Sequence, residues 1–389
     1  MRARAEQPPA RKSVFPGVAA LLTGVLYLAL VLQVESQRTI LGLLAVGATA
    51  VFIAARLDLI SAFRHSYRDN ERAMDVLSIV AVLILAAGFH NSPFVLFLLT
   101  TVFINIIACL GLNLQFGYAG MLNFAGAAML GVGGYTAALL GQHAAIPPIL
   151  LLPLGGLFAA IIGSILLPPM LRTQGHYSAV ITIAFNLLFT TFLEVYAGFG
   201  GTQGLPVKSM SLLGLSFNDD WKIGGFEVAF YANYFLLGLV LTVIVATAVR
   251  RMERSWIGLS LDAVRLDETS SRCFGVNIAL WKAVAFVSGN FIIGLAGTFY
   301  ALMLGYIAPT NFTFGDSLIL VTIIILGGLG SIWGVILTAA IVVLLPEKLQ
   351  AIQEYRFLLY AVVVTFVLLF RPGGLLPRAP RIFFPGWRP

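Results

Sequence analysis

The chain has 389 residues, of which 59% are hydrophobic and only 11% charged, with a mean hydropathy of +0.94. A soluble domain carries about 25% charged residues, so a soluble globular fold is excluded, and apolar runs of about 20 residues recur as bilayer-spanning helices require. The net charge of +7 does not point to nucleic acid, because the basic residues sit in short clusters between apolar runs, where cytoplasmic loops carry them.

The N-terminal stretch MRARAEQPPARKSVF is basic and then apolar. The run from Val14 to Leu32 is long and lacks a small-residue cleavage site, so an uncleaved first span is predicted rather than a signal peptide. Arg2, Arg4, Arg11 and Lys12 put the tail, residues 1–13, on the cytoplasmic side. Spans follow at about 14–32 and 39–55, and the loop 56–72 returns inside with Arg56, Arg64, Arg68 and Arg72. Span three, at about 73–89, leads out to His90-Asn-Ser-Pro93, and span four, at about 94–114, leads back in.

The next interval, Gly111 to Gly141, holds eight glycines and little charge. Glycine costs about 1 kcal/mol relative to alanine in an exposed helix. In a bilayer, small residues let helices approach closely, and breaks are tolerated where backbone is buried in protein. A broken or tightly packed span is predicted. Span six starts at Pro147-Pro148 and ends at Arg172; span seven covers about 177–198; the loop 199–228 lies outside; span eight, at about 229–249, enters at Arg250-Arg251. Beyond a polar loop, span nine covers about 283–304, span ten reaches the turn Gly327–Gly334, and span eleven ends at Pro346. PEKLQAIQEYR lies along the outer interface, and span twelve, at about 356–370, ends at Arg371 with Arg378, Arg381 and Arg388 beyond it. The fold class is an all-α polytopic membrane protein with about 10–12 transmembrane or re-entrant helices and a cytoplasmic helix between spans eight and nine.

Catalytic motifs are missing. Gly-Lys never occurs, so there is no Walker A loop, and neither H-E-x-x-H nor G-x-S-x-G is present. Cys109 lies in an apolar run and Cys273 in the polar loop, which gives no disulfide or zinc spacing. His65, His90, His143 and His176 fall singly near segment ends and read as interfacial residues. A secondary transporter would carry ion-coupling carboxylates within its spans, where only Glu194 qualifies even loosely; a membrane enzyme would need His, Asp or Glu clustered at one depth.

The longest charged interval is MERSWIGLSLDAVRLDETSSRCFGVNIALWK, Met252 to Lys282. Leu259, Ala263, Leu266, Ser270 and Cys273 recur at 4-3-4-3 spacing, which predicts one face of a helix of about four turns. Asp262 with Arg265, and Glu268 with Arg272, form i,i+3 and i,i+4 pairs worth a few tenths of a kcal/mol, and Gly275 supplies the C-terminal stop. Such a loop either meets a soluble partner or is a solvated helix without one.

ERSWIGLSLDAVRLDETSSRCFGVNIALWKAVAF resembles the cytoplasmic loop of the branched-chain amino-acid ABC transporter permeases of the LivM type. GLNLQFGYAGMLNFAGAAMLGVGGYTAALL, LRTQGHYSAVITIAFN, GGTQG, ILGGLGSIWG and EYRFLLYAVVVTFVLLFRPGGLLP are similar to further signatures of that family, in the same order. The resemblance implies a core over 94–377, with spans at 14–93 outside it, an ATPase-docking loop at 250–282 and a cytoplasmic tail at 378–389. It also implies a bacterial inner-membrane importer in which a LivH-type second permease subunit, two cytoplasmic ATP-binding subunits and a periplasmic substrate-binding protein are partners. This chain would bind no cofactor, ATP-Mg being held by the partner subunits. By the same resemblance Asp267, Glu268, Thr269, Ser270, Ser271, Arg272 and Gly275 form the coupling segment. Thr269-Ser270-Ser271 replaces the family's common Ile-Ala-Ala, and Asn186 stands where an acidic residue is frequent. The cargo implied is branched-chain or other hydrophobic amino acids, with urea, amides and aromatic acids carried by other relatives.

Asn105, Asn113, Gln115, Asn123, Asn186, Glu194 and Asn290 fall within or at the ends of apolar spans. Polar groups in lipid face protein or a water-filled cavity, so these residues either line the pathway or only join helices, an interaction worth about 0.6 kcal/mol on average.

Overall fold

The computed structural model describes residues 15–34, 36–40, 42–43, 46–47, 49, 70–143, 146–173, 175–212, 215–219, 221–223, 226–348, 355–371 and 373–378. The tail 1–13, most of the predicted second span, the cluster Arg56, Arg64 and Arg68, His65, the stretch 349–354, and Arg381 and Arg388 lie outside the described residues. The chain divides into two compact units, one of residues 1–96 with 347–351 and the other of residues 97–346 with 352–389.

In the first unit, α1 (Phe15–Gln33) packs on α2 (Glu71–Gly88), with Leu32 and Met74 buried. The Lys348 ammonium donates to the Leu32 carbonyl at 2.6 Å, which satisfies an end carbonyl of α1.

The second unit holds the larger bundle. It starts with α3 (Pro93–Asn113), whose last turn widens into a π-helical segment, Leu114–Tyr118. The chain then runs without helix over 119–125 and restarts as α4 (Gly126–His143). The predicted glycine-rich span is therefore broken, and Gly120, at φ 68°, supplies the left-handed position at the break. The helices that follow are α5 (Pro148–Ser164), α6 (Leu167–Arg172), α7 (His176–Val195), α8 (Tyr231–Arg254), α9 (Trp256–Leu266) and α10 (Glu268–Cys273). The bundle closes with α11 (Ile278–Leu304), α12 (Phe314–Gly327), α13 (Ile332–Lys348) and α14 (Arg356–Phe370). Among the described residues, five helical stretches are long and apolar enough to cross a membrane: 93–118, 176–195, 231–254, 278–304 and 309–327. This is an all-α polytopic membrane protein.

The core is the packing of α11 against α4 and α5, and glycine makes it possible. A Cβ on Gly297 would strike the Leu130 backbone, one on Gly133 the Gly294 carbonyl, and one on Gly155 the Thr298 hydroxyl. Where the backbones come this close, the Thr298 hydroxyl donates to the Gly133 carbonyl at 2.9 Å. The same device sets α3 on α11, since a Cβ on Gly111 would lie 2.6 Å from the Gly289 carbonyl oxygen. Small residues of this kind let helices pack where burial from lipid contributes little. α3 is enclosed by this arrangement, while α7 turns most of its surface outward.

At one end of the bundle, the segments after α7 and after α11 are joined by a short antiparallel pair, Leu205 with Ile307 and Pro206 with Tyr306. Val207 donates to the Gly305 carbonyl at 2.9 Å, and Gln142 at the end of α4 donates to the Pro206 carbonyl at 2.6 Å. At the other end, the α3 break, the Gly328–Gly330 turn between α12 and α13, and the segment 373–378 come together. Gly330 donates to the Asn113 side-chain oxygen at 2.9 Å, Leu375 to the Leu326 carbonyl at 2.8 Å, and Leu376 to the Gly327 carbonyl at 3.1 Å.

Gly297→Ala should destabilise the protein by about 3 kcal/mol, the upper end of ordinary overpacking, because the obstacle is backbone. Gly24→Ala in α1, which meets nothing within 4 Å, should be neutral or slightly stabilising. Thermal unfolding of both variants in detergent tests the contrast.

Candidate coupling surface and buried polar cluster

Two constellations concern function: the α8–α11 connection and the polar residues around the α3 break. In the connection, Ser255 begins α9, its hydroxyl oxygen accepting from the Ile257 amide at 3.2 Å. Gly258, Leu261 and Val264 form the buried row of α9. Asp267 then does two things. It ends α9 in an extended conformation, and it caps α10 by accepting from the amides of Thr269 at 2.8 Å and Ser270 at 3.1 Å and from the Ser270 hydroxyl at 2.6 Å. The Ser270 hydroxyl first, and then the two amides, hold the Asp267 carboxyl below its ordinary value. Gly275, at φ 76°, stops α10 as predicted, with its amide on the Arg272 carbonyl and that of Val276 on the Ser271 carbonyl, both at 3.0 Å.

The single helix of about four turns expected from the spacing is therefore two helices with a corner at Asp267. A capping side chain with three local acceptor bonds competes with helix propagation, and here it wins. Leu259, Ala263, Leu266 and Ser270 of the predicted face share one outward-looking surface, while Cys273 is exposed and stands apart from it. Leu259, Ala263, Leu266, Ser270, Phe274 and Val276 line an open groove of about 440 Å³. Leu266 and Phe274 at its rim are 85% and 87% exposed. Of the remaining coupling residues, Ser271 is buried, Thr269 and Arg272 are exposed, and Glu268 pairs with Lys282 of α11 at 2.5 Å. Trp256 stands edge-on to Trp281 with ring centroids 4.9 Å apart.

The charge pairs also differ from expectation. Asp262 is paired with Arg378 rather than with Arg265, through bonds of 2.6 and 3.0 Å from the two terminal guanidinium nitrogens. Arg265 instead donates to the Gly117 carbonyl in the π segment. A bidentate, partly buried arginine fork outweighs an exposed pair along one helix. Arg378 Nε also reaches Glu253 at 3.2 Å, and its guanidinium lies 4.6 Å from the centre of the Tyr118 ring. Burial opposes the charge on Arg378, yet Asp262, Tyr118 and Glu253 together hold its pKa above the ordinary arginine value. Nothing in a single sequence links positions 262 and 378, so neither Arg378 nor Tyr118 was recognisable beforehand.

Asn113, Gln115, Asn123, Asn186 and Asn290 are all fully buried. Gln115 is the centre of one network. Its amide nitrogen donates to the Phe286 carbonyl at 3.1 Å and to Asn290 Oδ1 at 2.9 Å, and its oxygen accepts from Asn123 at 2.6 Å. Three amides around the start of α4 are met by side chains: Ala125, just before the helix, by Asn123, Ala127 by Ser317 and Ala128 by Asn186, all at 2.9 Å. Phe124 in the break donates to the Thr182 hydroxyl at 2.9 Å. Asn105 donates within its own helix to the Thr101 carbonyl at 2.9 Å, and Glu194 is exposed near the end of α7. Ser317 and Thr182 share the work of the asparagines, but a lone hydroxyl residue in an apolar helix carries no signal of it. The cluster contains no ionisable side chain, so it can orient backbone and hydrogen-bond a neutral group without moving protons.

Gln115→Leu should strand the Asn123 amide and cost about 1–3 kcal/mol for the buried groups left unpaired. Thermal unfolding in detergent, combined with Asn290→Leu in a double-mutant cycle, should return a non-zero coupling between the two positions.

Residues 94–370 match the family described as branched-chain amino acid transport system, permease component. The chain is 31% identical over 329 residues to the LivM permease protein of the Escherichia coli high-affinity branched-chain amino acid transport system, covering 79% of this chain and 76% of that protein. It is 24% identical to a probable LivM permease protein of Methanocaldococcus jannaschii, covering 71% of this chain and 91% of the relative. It is also 24% identical to the LivH permease protein of Salmonella typhimurium, covering 70% and 91%. No solved structure matches. With its bundle of apolar helices and a match spanning most of its length, the chain belongs to the family of branched-chain amino acid transport system permease components, and it is a multi-pass membrane transport protein rather than an enzyme.

Proposed function

We propose that this chain is one membrane subunit of an ATP-driven ABC importer and that α9 and α10 are where an ATP-binding subunit docks. The observation that carries this reading is the outward-facing apolar row of α9 and α10. Leu266 and Phe274 stand exposed on a segment whose inner row is already buried. Large apolar side chains kept in water around a concave surface mark a protein partner. Asp267 through Arg272, with Gly275, form the coupling segment, in which Asp267 and Gly275 define the corners, Ser270 lines the groove, and Thr269 and Arg272 are exposed beside it. ATP-Mg belongs to the partner subunits. A LivH-type chain completes the permease, two ATP-binding subunits drive it and a periplasmic binding protein supplies the cargo, in a bacterial inner membrane. The end carrying α9 and α10 is then cytoplasmic, as are both termini; that Arg378 meets Asp262 supports a C-terminal tail on the docking side.

The cargo is a branched-chain or similar hydrophobic amino acid, a reading that rests on the names of the relatives. The buried amides Asn113, Gln115, Asn123, Asn186 and Asn290 act first as the frame of the α3 break. The hydrogen bonds of Asn113, Gln115, Asn123 and Asn186 to backbone favour that role over direct contact with cargo. Proteoliposomes holding this chain, a LivH-type subunit and the ATP-binding subunits should take up leucine only with ATP and the binding protein. Uptake by this chain alone without ATP would refute the reading.

Leu266→Asp and Phe274→Asp should each weaken capture of the ATP-binding subunits by about 2 kcal/mol, the size of an interface hot spot, while membrane insertion is unchanged; co-purification measures it. Gly275→Val forces a β-branched residue to φ 76°. With Glu268→Lys, which sets like charge against Lys282, it should abolish uptake in cells at normal membrane abundance.

A further inference from the structure

The segment 373–378 is a strap. Leu375 and Leu376 donate to the end carbonyls of α12, at Leu326 and Gly327, which sets Arg378 over the α3 break. A Cβ on Gly330 would lie 3.0 Å from Arg378 Cδ, so the turn between α12 and α13 is cut back to let the arginine pass. From there the guanidinium touches three elements at once. It forks onto Asp262 of α9, reaches Glu253 at the end of α8, and lies over the ring of Tyr118 in the π segment. Arg265 supplies a second link from α9 to the same segment, at the Gly117 carbonyl. The π segment leads directly into the non-helical residues 119–125, whose far end is held by Asn123, Asn186, Ser317 and Thr182.

We propose that Arg378 is the positioning residue that transmits movement of α9 to the α3 break, so that displacement of the docking helix by a partner shifts Tyr118 and the backbone beyond it. The proposal rests on the docking of ATP-binding subunits at α9 and α10. The physical grounds are directional. A bidentate arginine–carboxylate pair resists both sliding and rotation, and a wide helical turn followed by backbone outside any regular helical ladder is the compliant element next to it. Compliant backbone beside a rigid post is where a push is converted into a change of conformation, as bistable elements require. Arg378 does not line the groove of α9 and α10.

The test uses the full complex in proteoliposomes, with three readouts: co-purification of the ATP-binding subunits, ATP hydrolysis, and leucine taken up per ATP hydrolysed. For Arg378→Ala the expected result is normal co-purification, persistent hydrolysis, and uptake per ATP lower by about fivefold or more, the lower edge of ordinary coupling between sites. Arg378→Lys keeps the charge but loses the fork and the ring contact, and should fall between Arg378→Ala and the parent chain. The exchanged pair Asp262→Arg with Arg378→Asp should recover part of the lost uptake per ATP. Unchanged uptake per ATP in Arg378→Ala overturns the proposal. So does loss of co-purification in that variant, which would make Arg378 a support for the docking surface only. Should Arg378→Ala fail to fold, parental uptake per ATP in Arg378→Lys overturns it equally. Failure of the parent chain to capture ATP-binding subunits would refute the docking reading itself, and that outcome is separable from every variant result.

Discussion

An interrupted helix inside an apolar bundle has to find partners for the amides it exposes, because lipid cannot supply them. The break between α3 and α4 meets this constraint with side chains from three directions. Asn123 comes from the break itself, Asn186 and Thr182 from α7, and Ser317 from α12. Asn186 and Asn290 stand near the middle of their helices, so the first turn of α4 lies deep within the bundle rather than at its end. Much of the unit follows from satisfying those few N–H groups.

The glycines answer a complementary demand. Lipid is as apolar as leucine, so helices in a bilayer gain little from burying apolar surface and depend on close contact. Gly133, Gly294, Gly297 and Gly155 remove the side chains that would hold α4, α5 and α11 apart, and Thr298 uses the resulting proximity to hydrogen-bond across it. Close backbone contact marks this core, while the π segment and the residues after it lack a regular hydrogen-bond ladder. The α9–α10 segment is joined to the π segment through Arg265 and Arg378, and to the core helix α11 through Glu268 and Lys282.

Most of the helical plan was legible in the sequence because run length and charge placement act locally. Gly275 was recognised as a stop for the same reason, since only the residue and its immediate neighbours decide a left-handed cap. The spacing from Leu259 to Cys273 identified an apolar row but assigned it to one helix. The corner at Asp267 depends on a capping geometry that spacing does not encode. Periodicity also says that a row shares a face and not whether that face looks inward. Here Gly258, Leu261 and Val264 took the inner position, which left the more conspicuous row in the open.

By itself, then, the sequence determined the class of protein, the positions of most apolar helices, and the location of the polar segment with its stop, because bilayer thickness and backbone chemistry impose them one stretch at a time; that the glycine-rich region is broken rather than a continuous, tightly packed span was left to the tertiary structure. Tertiary structure alone decided which polar residues meet. Asn186 finds an amide 58 residues away, Asn113 one 217 residues away, and Asp262 an arginine 116 residues away. Such pairings are set by which helices the glycine contacts allow to approach, a property of the whole bundle that no window of sequence contains.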